Sequence, residues 1–185
     1  MDKSLEYTVE YRNVKHPRLE YKTGTLLLIL PKSYRDENQT LEKYKKWIQK
    51  KEPVIRKALE EAKVKNLNIN RTDKELRSLI HTLAENYRKE INTKIKRIYF
   101  RKMRTKWASY SQNGNLTVNT LLKYLPQDII EYIIFHETTH SIERKHNEKF
   151  WNIITNKFPD YPTKEKDLLT YWFIIQKTNR EAIYP

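Results

Sequence analysis

The chain contains no cysteine. Disulfide scaffolds, thiolate zinc fingers, cysteine proteases and thiol redox chemistry are excluded together. Glycine is almost as scarce, with only Gly24 and Gly114 in 185 residues. A dinucleotide loop needs three glycines in a short stretch and a Walker loop needs two around a Gly-Lys pair, so both phosphate cradles are ruled out. No apolar run approaches the roughly 18 residues of a membrane span; the best is Leu26–Leu30. The first twenty residues alternate charged and apolar side chains and hold no signal-peptide core. The expectation is a soluble, cytoplasmic protein with no membrane partner.

Acid is missing where base is concentrated. No Asp or Glu occurs from Asn92 to Gln127, a stretch that carries Lys94, Lys96, Arg97, Arg101, Lys102, Arg104, Lys106 and Lys123. Those eight account for most of the net charge of +14. Such a segment, 92–127, favours anionic partners, including weak, sequence-independent contact with nucleic-acid phosphates. What the chain has in quantity is aromatic side chains, 13 Tyr, 4 Trp and 5 Phe, enough large rings to build a core at 38% hydrophobic content.

Periodicity orders these residues. Leu5–Asn13 alternates apolar and polar positions, Leu19 and Tyr21 resume the alternation up to a turn at Thr23-Gly24, and Thr25–Leu30 reads as a deeply buried strand. A helix is expected over Leu41–Lys63, broken or restarted at Pro53, with Tyr44, Trp47 and Ile48 on one face. A second starts at Thr72, where Thr72 and Glu75 form a capping box ahead of Leu76, Leu79, Ile80, Leu83 and Tyr87. Ile95–Phe100 reads as a strand whose pleat continues irregularly through Met103, Thr105 and Trp107. Asn113-Gly114 then folds Trp107–Ser111 back on Leu116–Asn119. Pro126 opens a helix expected from Gln127 to about Arg144, followed by helices at Asn147–Lys157 and Thr163–Lys177. The order implies one α+β domain over residues 1–185: strands in 1–31, helices in 41–91, a strand and hairpin in 95–119, and further helices in 126–185.

Three of the five histidines fall within eleven residues, as His136-Glu137-Thr138-Thr139-His140 and then His146. Residues four apart on a helix differ by about 40° in azimuth, so His136 and His140 project side by side and can share one tetrahedral ion. Glu137, about a quarter turn away, can reach a water without ligating the ion. This is the metalloprotease pattern. His146 completes the set only if the helix stops between about Glu143 and Lys145, and Asn147 is placed to cap a new helix there. Glu143 is a candidate to hydrogen-bond a histidine ligand, to be a rival third ligand, or to pair with Arg144 or Lys145.

The block from Arg101 to Ser109, followed by Gly114-Asn115-Leu116 and Asn119, resembles the YgjP-like metallopeptidase family. So does the run from Pro126 through Glu131-Tyr132-Ile133-Ile134-Phe135, the histidine motif and His146-Asn147 to Phe150-Trp151. Ala108 and Tyr110 stand where that family has Gly and Cys, and Thr138-Thr139 where it has Leu and a small residue. The spacing also matches metzincins, but those carry glycine where this chain has Glu143, and a methionine turn downstream. Met1 and Met103 both precede the motif. The resemblance implies a zincin-like α+β fold with a mixed or antiparallel sheet and an HExxH helix. It further implies zinc on His136, His140 and His146, Glu137 as catalytic base, and a peptide or protein substrate. Arg101, Arg104, Lys106 and Trp107 are candidates to bind that substrate, by strand addition along Arg101–Trp107. Two other readings stand beside it: a zinc phosphohydrolase acting on nucleotides or nucleic acid, and a nucleic-acid binding module with a structural zinc.

Overall fold

A strand that is apolar at every position must be covered on both faces, and Leu26–Leu30 meets that demand with at most 3% exposure. In the computed structural model, which describes residues 7–22 and 25–178, it belongs to β3 (Thr25–Pro31). β3 is the centre of a mixed sheet, parallel to β1 (Tyr7–Arg12) and antiparallel to β2 (Arg18–Lys22). The expected strand start at Leu5 and the turn at Thr23-Gly24 lie outside the described residues. The alternation of β1 lapses at Tyr11, which is exposed and donates its hydroxyl to Glu37 at 3.0 Å.

The chain forms two compact units, one from residues 1–65 with 169–185 and one from 66–168. The first holds the β3 sheet and α1 (Glu37–Glu61), a single 25-residue helix rather than the broken one expected. Pro53 is inside it, and the carbonyl deprived of its donor belongs to exposed Gln49, where water can replace the lost bond. Ile48 is buried, whereas Trp47 stays 37% exposed.

The second unit carries the chemistry. α2 (Asp73–Glu90) begins at the expected capping box: the Glu75 carboxylate accepts from Thr72 N–H at 2.7 Å, and Thr72 Oγ1 accepts from Glu75 N–H at 3.2 Å. Its buried Leu76, Ile80, Leu83 and Tyr87 pack toward α3 (Gln127–Thr139). A second mixed sheet is ordered β4 (Arg97–Arg101), β6 (Asn115–Asn119), β5 (Ala108–Tyr110), with β4 parallel and β5 antiparallel to β6. The hairpin turn uses one positive φ, +78° at Gly114. It is a three-residue loop, 112–114, closed by Ser111 N–H on the Asn115 carbonyl at 2.9 Å. α4 (Glu148–Lys157) and α5 (Tyr161–Thr178) follow, so the α+β class holds.

The expected continuation of the pleat through Met103–Trp107 is absent: residues 102–107 form a loop. Its organiser is Asn119, fully buried at the end of β6. The side-chain oxygen accepts from Met103 N–H at 3.3 Å and Leu121 N–H at 3.1 Å, and Nδ2 donates to the Met103 and Lys106 carbonyls at 2.9 and 2.8 Å. Every hydrogen-bonding valence of the amide is used, so the loop's backbone is paired to a side chain instead of a neighbouring strand. We expect Asn119→Ala to destabilise the protein by about 3 kcal/mol, since it strands several buried backbone groups. Urea unfolding measures this, and a loss under about 1 kcal/mol would mean that water replaces the amide.

Candidate metal centre and active site

α3 ends about five residues earlier than its pattern suggested. Its last helical residue is Thr139, and His140, Ser141 and Ile142 donate their N–H groups to carbonyls three residues back at 2.9–3.2 Å. The reason lies in the side chains. Buried Thr138 and Thr139 turn their hydroxyls onto the Ile134 and Phe135 carbonyls at 2.6 and 2.9 Å, and Ser141 Oγ reaches the Thr138 carbonyl at 2.7 Å. The two threonine bonds share carbonyls that the helix already uses, which disfavours its continuation, while the last carbonyls accept from the tightened turn. Asn147 starts α4 by accepting from Phe150 N–H at 3.1 Å.

The loop between these helices returns His146 to His136 and His140. One nitrogen from each imidazole lies within 4.8 Å of the others, and the Nε2 atoms of His136 and His146 are 3.0 Å apart. Two nitrogens bound at 2.0–2.1 Å to one tetrahedral ion would be about 3.3 Å apart. Fully buried Phe150 is the floor: its ring centroid is 4.9, 4.8 and 4.7 Å from those of His136, His140 and His146. Trp151 stacks on His146 at 5.6 Å and Tyr161 stacks on Trp151 at 4.9 Å. Phe150 and Trp151 thus pack directly against the histidine rings.

Hydrogen bonds orient two of the rings. His140 Nδ1 donates to the backbone carbonyl of Glu143 at 3.1 Å, which leaves Nε2 as its free lone pair. Glu143 therefore supports a histidine through its main chain. Its carboxylate instead accepts from Lys145 N–H at 3.1 Å, an interaction that lowers its pKa, and it stands apart from the histidine cluster. His136 Nδ1 faces the Tyr132 hydroxyl at 3.4 Å, and that hydroxyl donates to Glu165. Glu165 Oε1 is itself 3.8 Å from His136 Nδ1. Burial first, and then the bond to Glu165, raise the Tyr132 phenol far above its ordinary range, so it stays a donor. Burial, seconded by the neighbouring His140 and His146, pushes the His136 imidazolium down to about 3. The ring is neutral, the form a metal takes. This donor set fits a divalent ion.

Glu137 is beside the histidines and faces β5. One carboxylate oxygen accepts from Tyr110 N–H at 2.9 Å; no partner is seen for the other among the described residues. Burial raises its pKa, against the opposing pull of Tyr110 N–H, Lys106 and His146. All of these groups line a cleft of about 750 Å³. Lys106 and Trp107 border it as expected of substrate-binding residues, but Arg101 and Arg104 do not. Tyr132 was legible as a neighbour of His136, one turn back on α3. Nothing in the sequence marked Glu165, which arrives from another helix.

The solved structure of the metallopeptidase zymogen abylysin from Pyrococcus abyssi is 19% identical, with a TM-score of 0.42, over 55% of this chain and 94% of that one. The zymogen of jannalysin from Methanocaldococcus jannaschii is 27% identical, with a TM-score of 0.43, over 53% and 95%. No curated protein matches the chain. The family model described as YgjP-like, metallopeptidase domain, matches residues 3–171, from the N-terminal strands through α5, and the chain belongs to that family.

Proposed function

We propose that this metallopeptidase is zinc-dependent, with His136, His140 and His146 as ligands and Glu137 as general base. The observation that carries the reading is the convergence of three imidazoles beside a buried carboxylate in one cleft. Three protein ligands leave a fourth position open, as catalytic zinc requires and structural zinc does not. Zinc held there would polarise the scissile carbonyl and lower the pKa of a water in the cleft. Glu137 takes the water proton on the oxygen that Tyr110 leaves free and passes it to the departing amine. Burial raises its proton affinity toward the value such a shuttle needs. Because 102–107 is a loop, the strand offered to an extended substrate is β5, an edge strand bordering the cleft.

The phosphohydrolase reading rests on the acid-free stretch alone. Magnesium or manganese would want more carboxylates than Glu137 and Glu165, the two that line the cleft. The proposed location is the cytoplasm, on the cysteine-free composition. Among the described residues no helix is long and apolar enough to cross a membrane.

Glu137→Gln keeps shape and can still accept from Tyr110, so zinc content should be unchanged while peptide hydrolysis falls at least ~10²-fold. Hydrolysis at the parental rate would remove Glu137 from the mechanism. His146→Ala should lower the zinc bound per chain, read by metal analysis after dialysis; full retention would move the third-ligand role elsewhere. Tyr132→Phe keeps the ring that packs edge-on against Phe158 but cuts the link from Glu165 to His136. Zinc affinity by chelator competition should weaken by ~10-fold or more, with thermal stability of the metal-free chain little altered.

A further inference from the structure

The geometry points to peptides carrying Asp or Glu close to the scissile bond as the substrates of this cleft; the inference rests on the peptidase reading above. Four cations border the cleft from three elements. Lys94 and Lys96 approach along the hairpin: the Lys94 carbonyl accepts the Tyr110 hydroxyl at 2.6 Å, and Lys96 N–H bonds the Gly114 carbonyl at 2.7 Å. Lys106 comes from the Asn119-held loop, near enough to Glu137 to lower its pKa. Arg144 stands in the turn between His140 and His146. Positive charge therefore enters the cleft that holds Glu137 from separate segments of the chain.

None of these four side chains makes an ion pair among the described residues. Several other cations of this unit are paired: Arg88 with Glu85, Lys123 with Asp73, Lys157 with Glu90, and Lys164 with Asp128 and Asp160. Among the described residues, the acids lining the cleft are Glu137 and Glu165, and each already holds one internal donor, Tyr110 N–H and the Tyr132 hydroxyl. Four cations thus line the cleft against two carboxylates. A cleft of one sign focuses its field, raising the encounter rate and affinity of oppositely charged ligands and repelling like-charged ones. The effect is screened by salt. An anionic nucleic acid would feel the same field. The peptide is favoured because the cations surround a bond-cleaving centre of a peptidase family, and because the neighbouring edge strand offers backbone pairing that a nucleic acid cannot use.

Zinc-loaded Glu137→Gln serves as the binding form, titrated with three fluorescent decapeptides that differ only in acidic, neutral or basic residues around the centre. The acidic peptide should bind at least ~10-fold tighter than the basic one at low salt, the gap closing as salt rises. Combined Lys94→Gln, Lys96→Gln and Lys106→Gln should narrow the acidic-to-neutral ratio. Equal affinity for acidic and basic peptides overturns the inference and leaves the peptidase reading intact. A single-stranded oligonucleotide of matched charge that binds more tightly than the acidic peptide also overturns it, in favour of nucleic acid. Failure to bind any of the three peptides sinks both readings.

Discussion

The site depends on where one helix stops. On an unbroken helix His146, six residues past His140, would be carried round to the far side. Ending α3 at Thr139 has two consequences at once. It lets the chain double back so that His146 Nε2 comes within 3.0 Å of His136 Nε2. It also leaves the Glu143 carbonyl outside the helical ladder, where His140 Nδ1 takes it. Hydroxyl bonds to the preceding turn accompany the stop. Thr138, Thr139 and Ser141 each bond a carbonyl of the last turns, and Asn147 is ready to begin the next helix. A more apolar pair at 138 and 139 would keep the burial and lose those bonds.

Burial then sets the protonation states the chemistry needs. The same apolar surroundings that push His136 down to about 3 raise the Glu137 carboxyl, because both shifts disfavour charge. A neutral imidazole is a ligand and a carboxylate of raised proton affinity is a better shuttle, so one environment prepares both partners. For the metal-free chain this arrangement is a liability. Three imidazoles crowd one ring, Phe150, and a half-buried carboxylate holds a single hydrogen bond. Functional sites commonly violate local rules that the rest of a fold obeys. Asn119, with every valence satisfied, supplies rigidity to the loop that carries Lys106.

Local signals were legible and long-range ones were not. The Thr72–Glu75 box, the buried run of β3, the Asn147 cap and the pairing of His136 with His140 all follow from spacing within one or two turns. The strand expected at Met103–Trp107 failed because Asn119, twelve or more residues away, outbids a neighbouring strand for the same backbone groups. Pro53 did not break the helix, and the carbonyl it orphans belongs to an exposed residue, Gln49. Glu143 was expected to act through its carboxylate, which instead bonds Lys145 N–H, and its contact with a histidine is made by its carbonyl. Glu165 was invisible, being twenty-nine positions from the residue it serves and brought there by packing.

How an exposed glutamate keeps a defined position is answered by its neighbour. Glu165 is 42% exposed, a setting in which a long side chain usually wanders. Lys164, only 7% exposed, pairs with Asp128 at 2.9 Å and Asp160 at 3.3 Å. Burial works against its charge, but the hydrogen bonds to the two acids outweigh it and hold the ammonium above its ordinary range. Asp128 is in the first turn of α3 and Tyr132 is one turn further along, so consecutive residues of α5 grip α3 at consecutive turns. The first grip is structural and needs no metal. Because it fixes the start of α5, the second grip, Glu165 on Tyr132 and through it His136, is imposed by the fold rather than selected on binding. The orientation of the His136 ring is thus anchored by an ion pair outside the cleft.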